Sequence, residues 1–162
     1  METLTNRTFD ELKVGDSASL VRTLTHRDIE LFAAVSGDVN PAHVDPEFAK
    51  SDIFHGVVVH GMLGAALIST VLGTKLPGPG TIYLDQTLQF RHPVRVGDTL
   101  TVTLTVSEKM PKNNRVNLDC KVVNQKGDEV ITGVATVMAP TEKISRPRVA
   151  LPQVEVLDGP AQ

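Results

Sequence analysis

One short run of this chain, Ser36-Gly37-Asp38-Val39-Asn40-Pro41-Ala42-His43, sets a carboxylate, an amide and an imidazole around a glycine and a proline. A bent loop of that composition can aim Asp38 and His43 at one point. A carboxylate and an imidazole that share a point can take a proton from a water molecule and deliver one elsewhere. Taken alone, the run is also a good turn, because Asp, Asn and Pro all favour turns. What decides between the two readings is the set of elements around it.

Thr25, with Asp28 three residues on, forms a variant of the capping box and starts a helix. Ile29, Phe32 and Ala33 give that helix one apolar face, and Gly37 stops it. The Asp38 loop therefore begins at a helix C-terminus. Asp45-Pro46 starts a second, short helix ending near Lys50, and residues 51–57 read as a loop. A third helix is expected from Gly61 to about Leu72. Met62, Leu63, Ala65, Ala66, Leu67, Ile68, Val71 and Leu72 cover almost its whole circumference, which predicts burial on most sides. Leu76-Pro-Gly-Pro-Gly80 ends it.

Beyond Gly80 the apolar period becomes two. Leu84, Leu88 and Phe90 share one strand face. Leu100, Val102, Leu104 and Val106 alternate with threonines; Val116, Leu118, Cys120 and Val122 alternate again; Glu129 to Met138 makes the last strand. A short strand near Ala18 to Arg22 precedes the helices. Turn residues fill each break, so the spacing predicts a meander of about four long strands wrapped around the apolar helix, an α+β domain.

The chain has 162 residues, 41% apolar and 22% charged, which fits one domain with a sizeable core. A net charge of −3 argues against a nucleic-acid partner. The first residues lack the apolar centre of a signal peptide, and the stretch from His60 to Leu76 is too short and interrupted to span a bilayer. A single cysteine, Cys120, rules out an internal disulfide and falls in step with core positions. The expectation is a cytoplasmic protein with no membrane partner. No His, Cys, Asp or Glu group has metal-ligand spacing along the chain, and no glycine-rich loop follows a strand as a nucleotide site needs. The tail, residues 141–162, carries Pro147, Pro152 and Pro160 and reads as irregular or as a linker, with apolar residues 149–157 able to dock.

The pattern Phe-x-x-Val-Ser-Gly-Asp-x-Asn-Pro-x-His-x5-Ala resembles the signature of the MaoC-like, (R)-specific enoyl-CoA hydratases. Val59-His60-Gly61-Met62, Ser69 and Ile82-Tyr83-Leu84 also look like that family, and the likeness covers about residues 8–140. The resemblance implies a hot-dog fold, a long helix wrapped by an antiparallel sheet, assembled as a homodimer or higher oligomer. It implies addition of water to a trans-2-enoyl-CoA thioester, giving the (R)-3-hydroxyacyl-CoA, with no cofactor because CoA is part of the substrate. Asp38 and His43 would then hold the water as an acid/base pair. The N–H of Gly61 would hold the thioester oxygen, Asn40 would orient the site, and Ser69 would hydrogen-bond near the aspartate. Leu72 and Tyr83 are candidates for lining the acyl tunnel.

Two departures stand out. Ala42 replaces the usual Leu, Ile or Val, and Gly56-Val57 replaces a bulky-Pro pair at the entrance. His60 reads as structural, and His26, His55 and His92 as surface residues. Arg91, His92, Arg95 and Lys75 are available for the CoA phosphates, though each also reads as an ordinary solvated group. The same residues leave three other readings open. One is a dehydratase on carrier-protein or specialised thioesters, another a thioesterase, and the third a non-catalytic acyl-CoA-binding module of a larger enzyme.

Overall fold

The computed structural model describes residues 2–157. In chain order the elements are β1 (Thr3–Thr5), β2 (Ser17–Thr23), α1 (His26–Ser36), α2 (Pro41–Val44), α3 (Pro46–Ser51), α4 (Gly61–Thr74), β3 (Ile82–Phe90), β4 (Thr99–Met110), β5 (Arg115–Val123), β6 (Glu129–Met138) and β7 (Ser145–Pro147). The main sheet is antiparallel throughout, in the order β2-β4-β5-β6-β3. Its inner face closes on α4. Leu100, Val102, Leu104, Val116, Leu118, Val122, Val130 and Val137 are fully buried there with Ile68, Val71 and Leu72 of the helix. Each such side chain stabilises the fold by roughly 1.5–3 kcal/mol over its exposed state. This is the α+β sheet on a helix that the periodicities predict, and the hot-dog arrangement that the resemblance implies.

The strand order corrects the expected meander. Strands β4, β5 and β6 do follow one another as hairpins, but β3 pairs with β6 at the sheet's edge and not with β4. Residues 91–98 therefore form a crossover. Pro93 cannot donate to a ladder. The segment instead lies against the approach to α4, where Val59 donates to the Val94 carbonyl at 2.8 Å and Val58 bridges Arg95. The crossover thus pins the residues that lead into α4.

Burial of α4 is one-sided. Gly64, Ala65, Leu67, Ile68, Val71 and Leu72 are buried, while Met62, Ala66 and Ser69 stay exposed. Beside them, β3 exposes Ile82, Tyr83, Leu84 and Phe90. The tail is irregular and exposed over residues 148–157, as expected, with one short strand before them. Residues 3–5 pair with 145–147, and Arg146 to Leu151 border a cleft with Leu4, Leu20 and Leu67. Within the described residues no helix is long and apolar enough to cross a membrane.

Candidate active site

The site begins at the end of α1. The capping box predicted at its start is formed: the Thr25 hydroxyl accepts from the Asp28 N–H, and the Asp28 carboxylate accepts from the Thr25 N–H at 2.8 Å. At its end Gly37 adopts the left-handed conformation, φ 77°, and its N–H closes on the Ala33 carbonyl. A residue with a side chain is strained there, so glycine sets the direction in which the chain leaves the helix. Three short-range bonds then fold the loop. The Asp38 N–H donates to the Ser36 hydroxyl, the Asn40 N–H to Oδ1 of Asp38 at 3.2 Å, and the Ala42 N–H to the Asn40 side chain. Asn40 is thus the cap of α2, with Pro41 in its first turn, and it orients the single turn that carries His43.

His43 is held from the other side. Its Nδ1 lies 2.8 Å from the Val58 carbonyl oxygen. A carbonyl only accepts, so the proton of the neutral ring sits on Nδ1 and Nε2 is left with a lone pair. In the same segment the Val58 N–H donates to the Ala42 carbonyl. The crossover therefore fixes Val58, and Val58 fixes the histidine.

Asp38, His43 and a third residue, His60, converge. One carboxylate oxygen and one ring nitrogen from each histidine lie within 4.8 Å of one another. A carboxylate and an imidazole that close can share one water molecule. Asp38 is exposed, His43 half-buried and His60 only 2% exposed. His60 donates from Nε2 to the Asp38 carbonyl at 2.9 Å, and its ring packs 4.0 Å from that of His43 and 4.9 Å from that of Phe32. Three residues of metal-ligating type thus meet at one point, which their spacing along the chain did not indicate.

Gly61 follows His60 as the first residue of α4. His60 occupies the cap position but makes no side-chain capping bond. The first N–H groups of a helix have no partner within it, and they lie at its positive end. Gly61 also borders a depression with Phe54, Val58, Val59, Phe90 and Arg91. A Cβ at this position would come within 2.9 Å of the Phe90 ring, so a side chain there must displace that ring.

A separate apolar groove of about 500 Å³ runs along the exposed side of α4, between Phe32, Met62, Ala65 and Ser69 on one wall and Tyr83, Gln86 and Leu88 on the other. Tyr83 stands on the wall of this groove. Leu72 does not: it is 1% exposed, in the closed core between α4 and the sheet, because the helix turns that face inward. Ser69 is exposed on the groove wall, and among the described residues its hydroxyl makes no hydrogen bond, so the expected bond near the aspartate is not formed. Eight residues, or about 12 Å, of helix separate it from Gly61.

The Tyr83 hydroxyl donates to Oε1 of Gln86, whose Nε2 donates to the Thr87 carbonyl and lies 3.9 Å from Sγ of Cys120. Burial, with Cys120 alongside, pushes the phenol up to about 12. Burial likewise pushes the Cys120 thiol up, against the hydrogen bond from Gln86.

His60 is the residue that sequence reasoning missed as a member of the cluster. The signal for it was local: a histidine stands where a helix start usually carries Ser, Thr, Asp or Asn.

An (R)-specific enoyl-CoA hydratase of Rhodospirillum rubrum is 49% identical over 134 residues, 82% of this chain and 91% of that protein. A 3-hydroxybutyryl-CoA dehydratase of Methylorubrum extorquens is 41% identical over 140 residues, 86% of this chain and 88% of its own length. The unliganded structure of R-hydratase PhaJ1 from Pseudomonas aeruginosa superposes with a TM-score of 0.91 at 48% identity, covering 96% of this chain and 99% of that one. Residues 13–130 match the MaoC like domain, and with the hot-dog sheet and the Asp38–His43 loop in place, the chain belongs to the MaoC-like family.

Proposed function

We propose that this chain is an (R)-specific enoyl-CoA hydratase, adding water reversibly across the trans-2 double bond of an enoyl-CoA to give the (R)-3-hydroxyacyl-CoA. The observation that carries the reading is the convergence of the Asp38 carboxylate and the His43 imidazole beside the uncapped start of α4.

The chemistry follows from that arrangement. A water held between Asp38 and His43 loses a proton to one of them as its oxygen bonds to C3. The π electrons of the double bond move toward the thioester oxygen, which gathers negative charge. The Gly61 N–H, at the positive end of α4, holds that oxygen. The charge then returns through C2, which takes a proton from the pair. One proton is accepted and one donated, so the pair works as a unit and its titration belongs to both members. As proposed, the reaction needs no cofactor.

The apolar groove beside Ser69 and Tyr83 suits the acyl chain, and the depression at Gly61 and Arg91 suits the thioester side. In a single chain the groove is open along β3. That strand is the edge of the sheet, and Ile82, Leu84 and Phe90 on it are exposed, as is Met62 on α4. A second copy paired along β3 would cover this apolar surface, so the active form in this reading is a homodimer or larger.

The test is a panel of enoyl-CoA substrates of increasing chain length with chiral analysis of the product. The expected result is loss of enoyl absorbance and formation of the (R)-alcohol. Inertness toward short, medium and branched substrates, or an (S)-product, overturns the reading.

A further inference from the structure

His60 departs from two local rules at once. At a helix cap, Ser, Thr, Asp or Asn would satisfy a free N–H and stabilise the helix by about 1 kcal/mol; His60 makes no such bond. Its Nδ1 is moreover buried with no hydrogen-bond partner among the described residues, and an unmet buried polar atom costs about 1–3 kcal/mol. Departures of this kind mark places where function outweighs local stability.

What the side chain does instead is specific. Its Nε2–H reaches the Asp38 carbonyl at 2.9 Å, tying down the main chain that aims the carboxylate. Its ring lies 4.0 Å from the His43 ring at an interplanar angle of 31°, and Phe32 backs it at 4.9 Å.

The geometry points to His60 as the positioning residue of this site. It sets the distance between Asp38 and His43, without itself touching the substrate. The inference rests on the hydratase reading above.

Three variants test it. His60→Gln carries an amide N–H to the place of Nε2, His60→Asn is too short to reach it, and His60→Phe keeps an aromatic ring against Phe32 and His43 but has no donor. Misplacing a catalytic group by about 1 Å costs on the order of a hundredfold in rate. His60→Asn and His60→Phe should therefore lose about that in kcat with KM changed by less than roughly threefold, while His60→Gln recovers to within about tenfold of wild type. Thermal midpoints and circular dichroism establish which variants fold; if His60→Asn does not, His60→Phe and His60→Gln carry the comparison. A wild-type kcat in folded His60→Phe, or equal losses in His60→Gln and His60→Phe, overturns the positioning role. An inert wild type overturns the hydratase reading itself, and the two failures are distinct.

Discussion

The carbonyl of Val58 takes a 2.8 Å hydrogen bond from Nδ1 of His43, and the crossover at Val94 and Arg95 holds Val58 and Val59 in place. Through that one bond the neutral ring carries its proton on Nδ1, which leaves the lone pair on Nε2. Replacing the carboxylate by an amide should then abolish turnover without disturbing the loop, because the Asn oxygen of Asp38→Asn can still accept from the Asn40 N–H. We expect kcat on crotonyl-CoA to fall by about 10²–10⁴ with an unchanged thermal midpoint. A folded Asp38→Asn with near wild-type kcat would refute the acid/base role.

Gly61 makes a second, geometric prediction. The Cβ of Gly61→Ala would sit 2.9 Å from Cε1 of Phe90, and Phe90 is 53% exposed and free to swing away. Stability should therefore change by less than about 1 kcal/mol, while kcat/KM falls by about tenfold as the displaced ring crowds the depression. The double variant Gly61→Ala, Phe90→Ala should regain part of the loss. Strict additivity of the two single effects in a double-mutant cycle would refute the steric coupling.

Tyr83 is the sole tyrosine, and the chain has no tryptophan, so the near-ultraviolet phenolate band reports this one side chain. Its value rises from 10.0 to about 12 because of burial, with Cys120 beside it. A raised acid holds its proton more tightly in the folded chain. Its contribution to stability is thus full below 10.0 and is lost as pH climbs through about 12. After a rapid pH jump the native midpoint should lie well above the midpoint in denaturant; coincident midpoints would contradict the packing of the groove wall.

On α4, Leu72 is buried in the core and Met62 is exposed on the groove, and they should behave oppositely. Leu72→Ala empties a fully buried position and should cost about 2–5 kcal/mol, with no change in the relative rates on short and long acyl chains. Met62, 56% exposed on the groove, should cost under about 1 kcal/mol as Met62→Ala, yet shift the ratio of kcat/KM between chain lengths by up to about tenfold. Chain-length selectivity that follows Leu72 instead would place the acyl chain inside the core.

Local chemistry made α1 readable from the sequence: a capping box, a periodic face and a left-handed glycine each act within a few residues. The hairpins from β4 to β6 were readable for the same reason. The neighbour of β3 was not, because alternation defines a strand's two faces and says nothing about its partner; β6, not β4, lies beside it. The pairing of residues 3–5 with 145–147 is beyond any local signal. Leu72 was misplaced because a helix apolar all round does not reveal which side the sheet will cover. Asp38 and His43 share a loop and were found together, whereas His60 joins them only through the fold.

Cys120 lies under the Tyr83–Gln86 pair, 3% exposed, and is the chain's one cysteine. A thiolate-seeking alkylating reagent meets a group that is both covered and reluctant to ionise. Modification must therefore wait for β5 to open away from α4, and its rate measures that opening directly. A ligand that binds only the closed chain would slow the same clock in proportion to its occupancy, so one covalent label reads both core stability and binding without turnover.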